Sequence, residues 1–210
     1  MPQPQTQPTY GPGGRTGRVV VGVSGASGAA YALRLVEELL THQQEVHLVV
    51  TEYGRRLLFD EAGIKTLDAE SLLPDLGPEH HERLILHPNK DVGAVIASGS
   101  FLHDGMVVIP ASSQSLGAIA SGAGSNLLVR AAQVTLKERR PLIICHRETP
   151  LSLIDIEAMR TLTLAGAIVC PTNPGFYLNP ESVEDLVDFM VGKVLDLLGI
   201  EHELDTRWGE

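Results

Sequence analysis

The 210-residue sequence has only two cysteines, Cys145 and Cys170, and no C-x-x-C spacing. That is too few for a disulfide framework. Each follows an apolar run, so each is expected to be a buried, inert thiol. The eight histidines show no paired ligand spacing, "EHHERL" being an isolated polar cluster, and no metal site is expected. No stretch approaches the ~20 apolar residues of a membrane span. A net charge of -10 argues against a general nucleic-acid surface, which needs clustered Lys and Arg. The first 17 residues, "MPQPQTQPTYGPGGRTG", lack an apolar core and read as a disordered tail. They also lack the apolar h-region of a signal peptide, and a cytoplasmic protein is expected.

What is present is an alternation of β-rich and amphipathic segments. "RVVVGV" (18–23), "EVHLVVT" (45–51), "GMVVIPAS" (105–112), "PLIICH" (141–146) and "AGAIVCP" (165–171) read as strands. A helix is predicted from about Gly28 to Thr41, with Tyr31, Leu35 and Leu39 on one stripe. Further helices are predicted in "YGRRLLFDE", "SLGAIASG" and "NLLVRAAQVTLKER". Residues 63–92, broken by Pro74, Pro78 and Pro88, are expected to be less regular. Ser152 with Asp155 forms a capping-box variant opening "LIDIEAMRTLTL". Asn179 is a candidate cap for the last helix, with Pro180 at its first position and Gly199 past its end. Strands alternating with helices predict one doubly wound, Rossmann-like (flavodoxin-like) α/β domain over 18–210, with a mostly parallel sheet.

In such a sheet, ligands bind outside the carboxyl ends of the strands. The loops to inspect are then 24–28, 51–54, 98–104, 111–116, 146–150 and 171–177. The first reads G-x-x-G-x-x-G through Gly22, Gly25 and Gly28, so the middle glycine of a dinucleotide fingerprint is displaced by one position. Glu52 is a conceivable ribose partner beside Thr51. A phosphate at the helix amino terminus and a purely structural turn both remain open. The second loop, "PASSQSLGAIASG", brings Ser112, Ser113 and Ser115 to a strand end, either as ligand contacts or with Ser113 or Ser115 as helix caps. Two such loops favour one extended ligand, such as a nucleotide with a planar ring. Arg130 and Lys137 lie seven residues apart, on one helical face. Arg147 and Glu148 directly follow an apolar strand, and Lys193 sits in the last helix. They read as an answer to an anion or, for the three helix residues, as solvated charges.

Four segments carry a resemblance: "SGASGAAYALRL", "ASGSFLHDGMVVIP", "NLLVRAAQVTLKERRPLIICHRETPLSL" and "NPGFYLNP". Together they resemble the UbiX-like flavin prenyltransferases, from about Arg18 to Trp208. The resemblance implies a transferase that joins a dimethylallyl group from dimethylallyl monophosphate to N5 and C6 of reduced FMN. It implies FMN contacts at Gly25, Ala26, Ser27, Thr51, Ser112, Ser113, Gln114, Ser115 and Arg147. Arg130, Lys137, Tyr177 and Lys193 are implied for the prenyl phosphate, and Glu148 as acid/base. Ser27 and Glu61 are implied as a proton relay, and Trp208 as the residue closing the site. A homo-dodecamer with sites between subunits, and a UbiD-like decarboxylase that uses the product, are implied partners. The chain has no DDxxD-like run for Mg²⁺, and a monophosphate held by Arg and Lys needs none. Relatives often read Cys-Ser-Met-x-Thr where this chain reads Ala111-Ser112-Ser113-Gln114-Ser115, and some carry Arg where it has Lys193. The rival readings are a cysteine-type flavoprotein decarboxylase, a non-catalytic FMN carrier, and a nicotinamide-dependent oxidoreductase. "RETP" and "GFY" speak against the first, and the displaced glycine against the last.

Overall fold

The computed structural model describes residues 14–204 and 206. Its frame is a six-stranded sheet, parallel at every pairing, in the order β3-β2-β1-β4-β5-β6. The strands are β1 (Arg18–Val23), β2 (Glu45–Val50), β3 (Leu84–Pro88), β4 (Gly105–Ala111), β5 (Leu142–His146) and β6 (Ile168–Val169). The order reverses between β1 and β4, which puts the topological switch point, and the crevice beyond it, at the carboxyl ends of those two strands.

The helices divide between the two faces. On one, α1 (Ala29–Thr41) and α8 (Val183–Leu198) bury Leu35, Leu39, Val191 and Leu195 against Val19, Val21, Val107 and Ile143. On the other, α5 (Ser113–Ser121), α6 (Leu127–Lys137) and α7 (Leu153–Ala165) bury Leu116, Leu128, Ala132 and Leu162 against Val20, Met106, Val108 and Ile144. Alternate residues of the central strands therefore feed two cores, as a sheet covered on both sides requires. Each fully buried Leu or Val contributes roughly 1.5–3 kcal/mol relative to exposure. The crossover from β2 to β3 holds α2 (Glu52–Ala62) and two single-turn helices, α3 (Ala69–Leu72) and α4 (Pro78–His81).

Several expectations change. Residues 63–92 contain β3 as well as α3 and α4, so the segment is more regular than its prolines suggest. Of the expected tail, residues 1–13 lie outside the described residues, but Thr16 and Gly17 are anchored. Both amides donate to the buried Asp104 carboxylate at 2.8 Å, and the Thr16 hydroxyl joins them at 3.0 Å. The last helix is capped not by Asn179 but by Ser182, which forms a capping box with Asp185. Asn179 instead has a φ of 52°, in the left-handed region that Asn tolerates better than most residues. The expected box at Ser152 and Asp155 is present. Loop 98–104 precedes β4, and Asp104 donates its amide to Arg18 O, so its end lies by the amino ends of the strands, away from the crevice.

Candidate active site

The crevice is assembled by a bulge. The β4–β5 register shifts between Val108 and Ala111, leaving Pro110 O to accept both the amide (3.2 Å) and the hydroxyl (2.9 Å) of buried Ser24. Ser24 Oγ in turn accepts the Ser112 amide at 2.8 Å. The loop after β1 is thereby tied to the loop after β4. Ser112, rather than Ser113 or Ser115, then caps α5 by accepting the Ser115 amide at 3.2 Å.

Beyond these loops lies a cleft of 560 Å³, lined by Gly25, Thr51, Ser112, Ser113, Gln114, Ser115 and Glu148. That volume is in the range of small-molecule sites, roughly 300–1,000 Å³. Thr51 caps α2 through the Gly54 amide at 3.0 Å. Gly25 is required by close approach, since a Cβ there would stand 2.3 Å from Tyr53 Cβ. Gly28 takes a φ of 128°, which strains any L side chain. A Cβ at Gly22 would stand 2.9 Å from Leu128 Cδ1, so all three motif glycines serve chain packing or turning. Sequence reasoning missed Tyr53, Asn89 and Asn126, which also line the cleft. Asn89 follows the unexpected strand β3, and its main-chain and side-chain oxygens accept the Leu127 and Leu128 amides at the start of α6.

The amino terminus of α1 is already occupied by an anion of the chain itself. Glu61 Oε2 accepts the Gly28 and Ala29 amides, each at 2.9 Å. Burial works against its charge, but hydrogen bonds from the Ser27 hydroxyl and those two amides, with the Arg147 charge, outweigh it and hold the carboxyl below its ordinary range. Ser27, Glu61 and Arg147 therefore form one cluster. Arg147 Nε is buried and lacks a hydrogen-bond partner among the described residues. Its main-chain amide is fixed by Ala111 O at 3.1 Å. Arg147, Ser27 and Glu61 stand outside the cleft lining; within it, the hydroxyls of Thr51, Ser112, Ser113 and Ser115 fit a ligand such as FMN, with its phosphate and carbonyl groups.

Ser113 faces two ways. It lines the cleft, and its hydroxyl lies 3.1 Å from His146 Nε2. Hydrogen bonds from Ser113 and Ser152 hold the Asp155 carboxyl down, to about 2. Burial pushes the His146 imidazole below its usual value, against the pull of Asp155 and Glu148. This hydroxyl ties α5 to β5 and α7. Glu148 is exposed on the cleft wall and accepts the Thr149 amide at 3.0 Å. Ala26 is buried beneath the loop and does not line the cleft.

The residues expected at the prenyl phosphate do not converge within one chain. Arg130 is exposed on the first turn of α6, next to cleft-lining Val129. Lys137 ends that helix at the opposite, amino end of the sheet, where it pairs with Glu138. Lys193 lies on α8, across the sheet from α6, 3.7 Å from Asp196. Tyr177 packs edge-on against Phe189, with its hydroxyl donating to Thr206 O at 3.5 Å. Trp208 lies outside the described residues. The expectation of two buried, inert thiols also changes: Cys145 is buried, but Cys170 is only half-buried. Among the described residues there is no cluster of three or more metal-ligating side chains, and no helix is long and apolar enough to cross a membrane.

Comparison with known proteins places this geometry. The flavoprotein family profile matches residues 13–195. The flavin prenyltransferase UbiX of Halalkalibacterium halodurans is 47% identical over 194 residues, covering 92% of this chain and 94% of the relative. The crystal structure of AnUbiX in complex with FMN and dimethylallyl pyrophosphate superposes with a TM-score of 0.80 at 36% identity, covering 92% of this chain and 97% of that one. The dodecameric FMN-dependent UbiX-like decarboxylase of Escherichia coli O157:H7 superposes equally well, at 0.80 and 36% identity over 92% of this chain and 99% of that one.

Proposed function

The chain belongs to the UbiX-like flavin prenyltransferases of the flavoprotein family, and from that premise we propose that it binds reduced FMN in the cleft. There it joins the dimethylallyl group of dimethylallyl monophosphate to N5 and C6 of the flavin and releases phosphate. The observation that carries this reading is the convergence, at one crevice, of the hydroxyls of Thr51 and Ser112–Ser115 with Glu148 on the same wall. Bound reduced FMN supplies the electron-rich N5 and ring carbon that accept the prenyl group.

The chain's own residues do the rest. Arg147, with a free buried Nε, holds the flavin edge nearest the Ser27–Glu61 pair. Breaking the allylic C–O bond leaves positive charge on carbon and negative charge on phosphate. Fixed cations favour that separation because they are in place before the charge develops. Arg130, Lys137 and Lys193 take this part, and the Tyr177 hydroxyl donates a hydrogen bond to the phosphate. Glu148 gives a proton to the departing phosphate and later accepts one from the ring position that is alkylated. Ser27 and Glu61 carry protons between that position and solvent.

Because Lys137 lies at the opposite end of the sheet from Glu148 in its own chain, the phosphate site is completed by neighbouring copies in a homo-oligomer, a dodecamer as in the Escherichia coli relative. The outer face of α7 suits such contacts. Leu153 is 72%, Ile154 79% and Leu164 73% exposed, an apolar patch that association would cover. The product serves a UbiD-like decarboxylase, and both act in the cytoplasm.

The test is anaerobic incubation of the protein with reduced FMN and dimethylallyl monophosphate, followed by flavin mass and free phosphate. A heavier flavin with stoichiometric phosphate is expected. An unchanged flavin that is nevertheless bound would leave a carrier rather than a transferase.

A further inference from the structure

Cys145 and Cys170 occupy adjacent parallel strands in matching positions. The β5–β6 ladder pairs Ile143 with Ile168 and Ile144 with Val169, and the Cys170 amide extends it by donating to Ile144 O at 2.9 Å. The next residues in register are the two cysteines. By the two-residue period of a strand, both side chains fall on the face of Ile143 and Ile168, beneath α8. Backbones of paired strands lie about 4.8 Å apart, within the Cα separation of roughly 4.4–6.8 Å that a disulfide spans.

The two thiols are neighbours across the ladder but are not equivalent. Cys145 is wholly buried, at 0% exposure, while Cys170 reaches the surface in part. Interaction with Cys145, aided by the Lys193 ammonium on α8, draws the Cys170 thiol below its ordinary range. The same interaction, with burial, pushes Cys145 well up. A partly exposed thiolate beside a sheltered partner thiol is the arrangement of a peroxide-reactive pair.

We propose that Cys170 is a site of oxidation by hydrogen peroxide or a comparable hydroperoxide, and that Cys145 resolves it into a reversible intrachain disulfide. The Cys170 sulfur donates an electron pair to one peroxide oxygen and the O–O bond breaks. A sulfenic acid and hydroxide result, and the hydroxide takes up the proton that Cys170 had released. The Cys145 sulfur then attacks the sulfenic sulfur, and the departing hydroxide leaves as water with the Cys145 proton. Two thiols and one peroxide thus give one disulfide and two waters. The bond would join the strand ends leading into Arg147–Glu148 and into the 171–177 segment.

The inference does not depend on the prenyl-transfer reading, and its test uses the reduced full-length protein with stoichiometric hydrogen peroxide. Titratable thiols should fall from two to none. The intact mass should drop by about 2 Da, and proteolysis should recover one peptide pair joining Cys145 to Cys170. Dithiothreitol should reverse all three. Cys145→Ala should stop at the sulfenic acid, about 16 Da heavier and trapped by dimedone. Cys170→Ser, which alters the less buried position, should leave Cys145 reduced. The proposal is overturned by two surviving thiols, by a cross-link between copies, or by undiminished oxidation of Cys145 in Cys170→Ser. The wild-type peptide map and Cys170→Ser decide the matter even if Cys145→Ala does not fold.

Discussion

Glu61 Oε2 sits 2.9 Å from both the Gly28 and Ala29 amides, so a carboxylate from α2 caps α1 across 32 residues or more of chain. A glycine-rich loop before a helix is usually read as a cradle for a ligand anion. Here the helix dipole is met by the chain's own side chain, which also binds Ser27 and feels Arg147. The helix terminus and the proposed proton relay are therefore one structure.

Replacing Glu61 by Ala removes this cap and should destabilise the fold by about 0.5–1 kcal/mol, the lower part of the capping range because the group is exposed and screened. Its folded pKa lies below the unfolded one, so its contribution is complete above the unfolded value and disappears as pH falls through the folded value. Denaturant titrations of wild type and Glu61→Ala should converge at low pH. A constant difference down to strongly acid pH would remove the ionised cap from the account.

Ser24 is 1% exposed, and its hydroxyl accepts the Ser112 amide and donates to Pro110 O. Ser24→Ala strands the Ser112 amide beside a methyl group. A buried unsatisfied donor costs about 1–3 kcal/mol. The urea midpoint should fall accordingly with an unchanged slope, and FMN should bind more weakly because the Ser112–Ser115 loop loses its anchor. Normal FMN affinity in a destabilised variant would separate the anchor from the cleft.

A third prediction concerns His103, which is 5% exposed. Its Nδ1–H donates to Gly105 O at 3.0 Å, and burial pushes its pKa down to about 4. The unfolded chain takes up this proton near pH 6.5, and the folded chain does so only near 4. Between those values the unfolded state binds more protons, so stability falls as pH drops. At about 1.36 kcal/mol per unit the loss approaches 3 kcal/mol. His103→Asn keeps a donor for Gly105 O and cannot titrate. Its melting temperature should vary less with pH between 6.5 and 4 than that of wild type, and parallel curves would contradict the assignment.

The parallel sheet was legible because its inner strands are continuous apolar runs between turn signals, as "RVVVGV" and "PLIICH" illustrate. β3 was not, because "LILHP" is an edge strand with half-buried residues, closed by a proline in a proline-broken segment. Missing β3 also hid Asn89, a cleft residue whose role depends on the strand before it. Capping chemistry read well where one box stood alone, at Ser152 and Asp155. At the last helix two signals competed, and Ser182 with Asp185 prevailed because that box satisfies two backbone donors reciprocally. The sharpest difference concerns Lys137. Helical periodicity correctly put it on one face with Arg130, but α6 runs antiparallel to the strands. Two turns carry that face from the crevice to the far end of the sheet.

That separation yields the last prediction. In its own chain Lys137 pairs with Glu138 at the amino end of the sheet, while Glu148 lies at the carboxyl end. If both serve prenyl transfer, they serve it in different chains. Lys137→Ala and Glu148→Gln oligomers should each bind FMN and turn over at least ~100-fold more slowly than wild type. Co-expressed in equal amounts, the two variants assemble sites in which the Lys137 donor and the Glu148 donor are chosen independently. About a quarter of the sites then carry both native residues, and about a quarter of wild-type phosphate release should return. Were both residues drawn from one chain, every site would keep one lesion and no activity would return. The size of the recovery thus reports directly whether neighbouring subunits build the phosphate site.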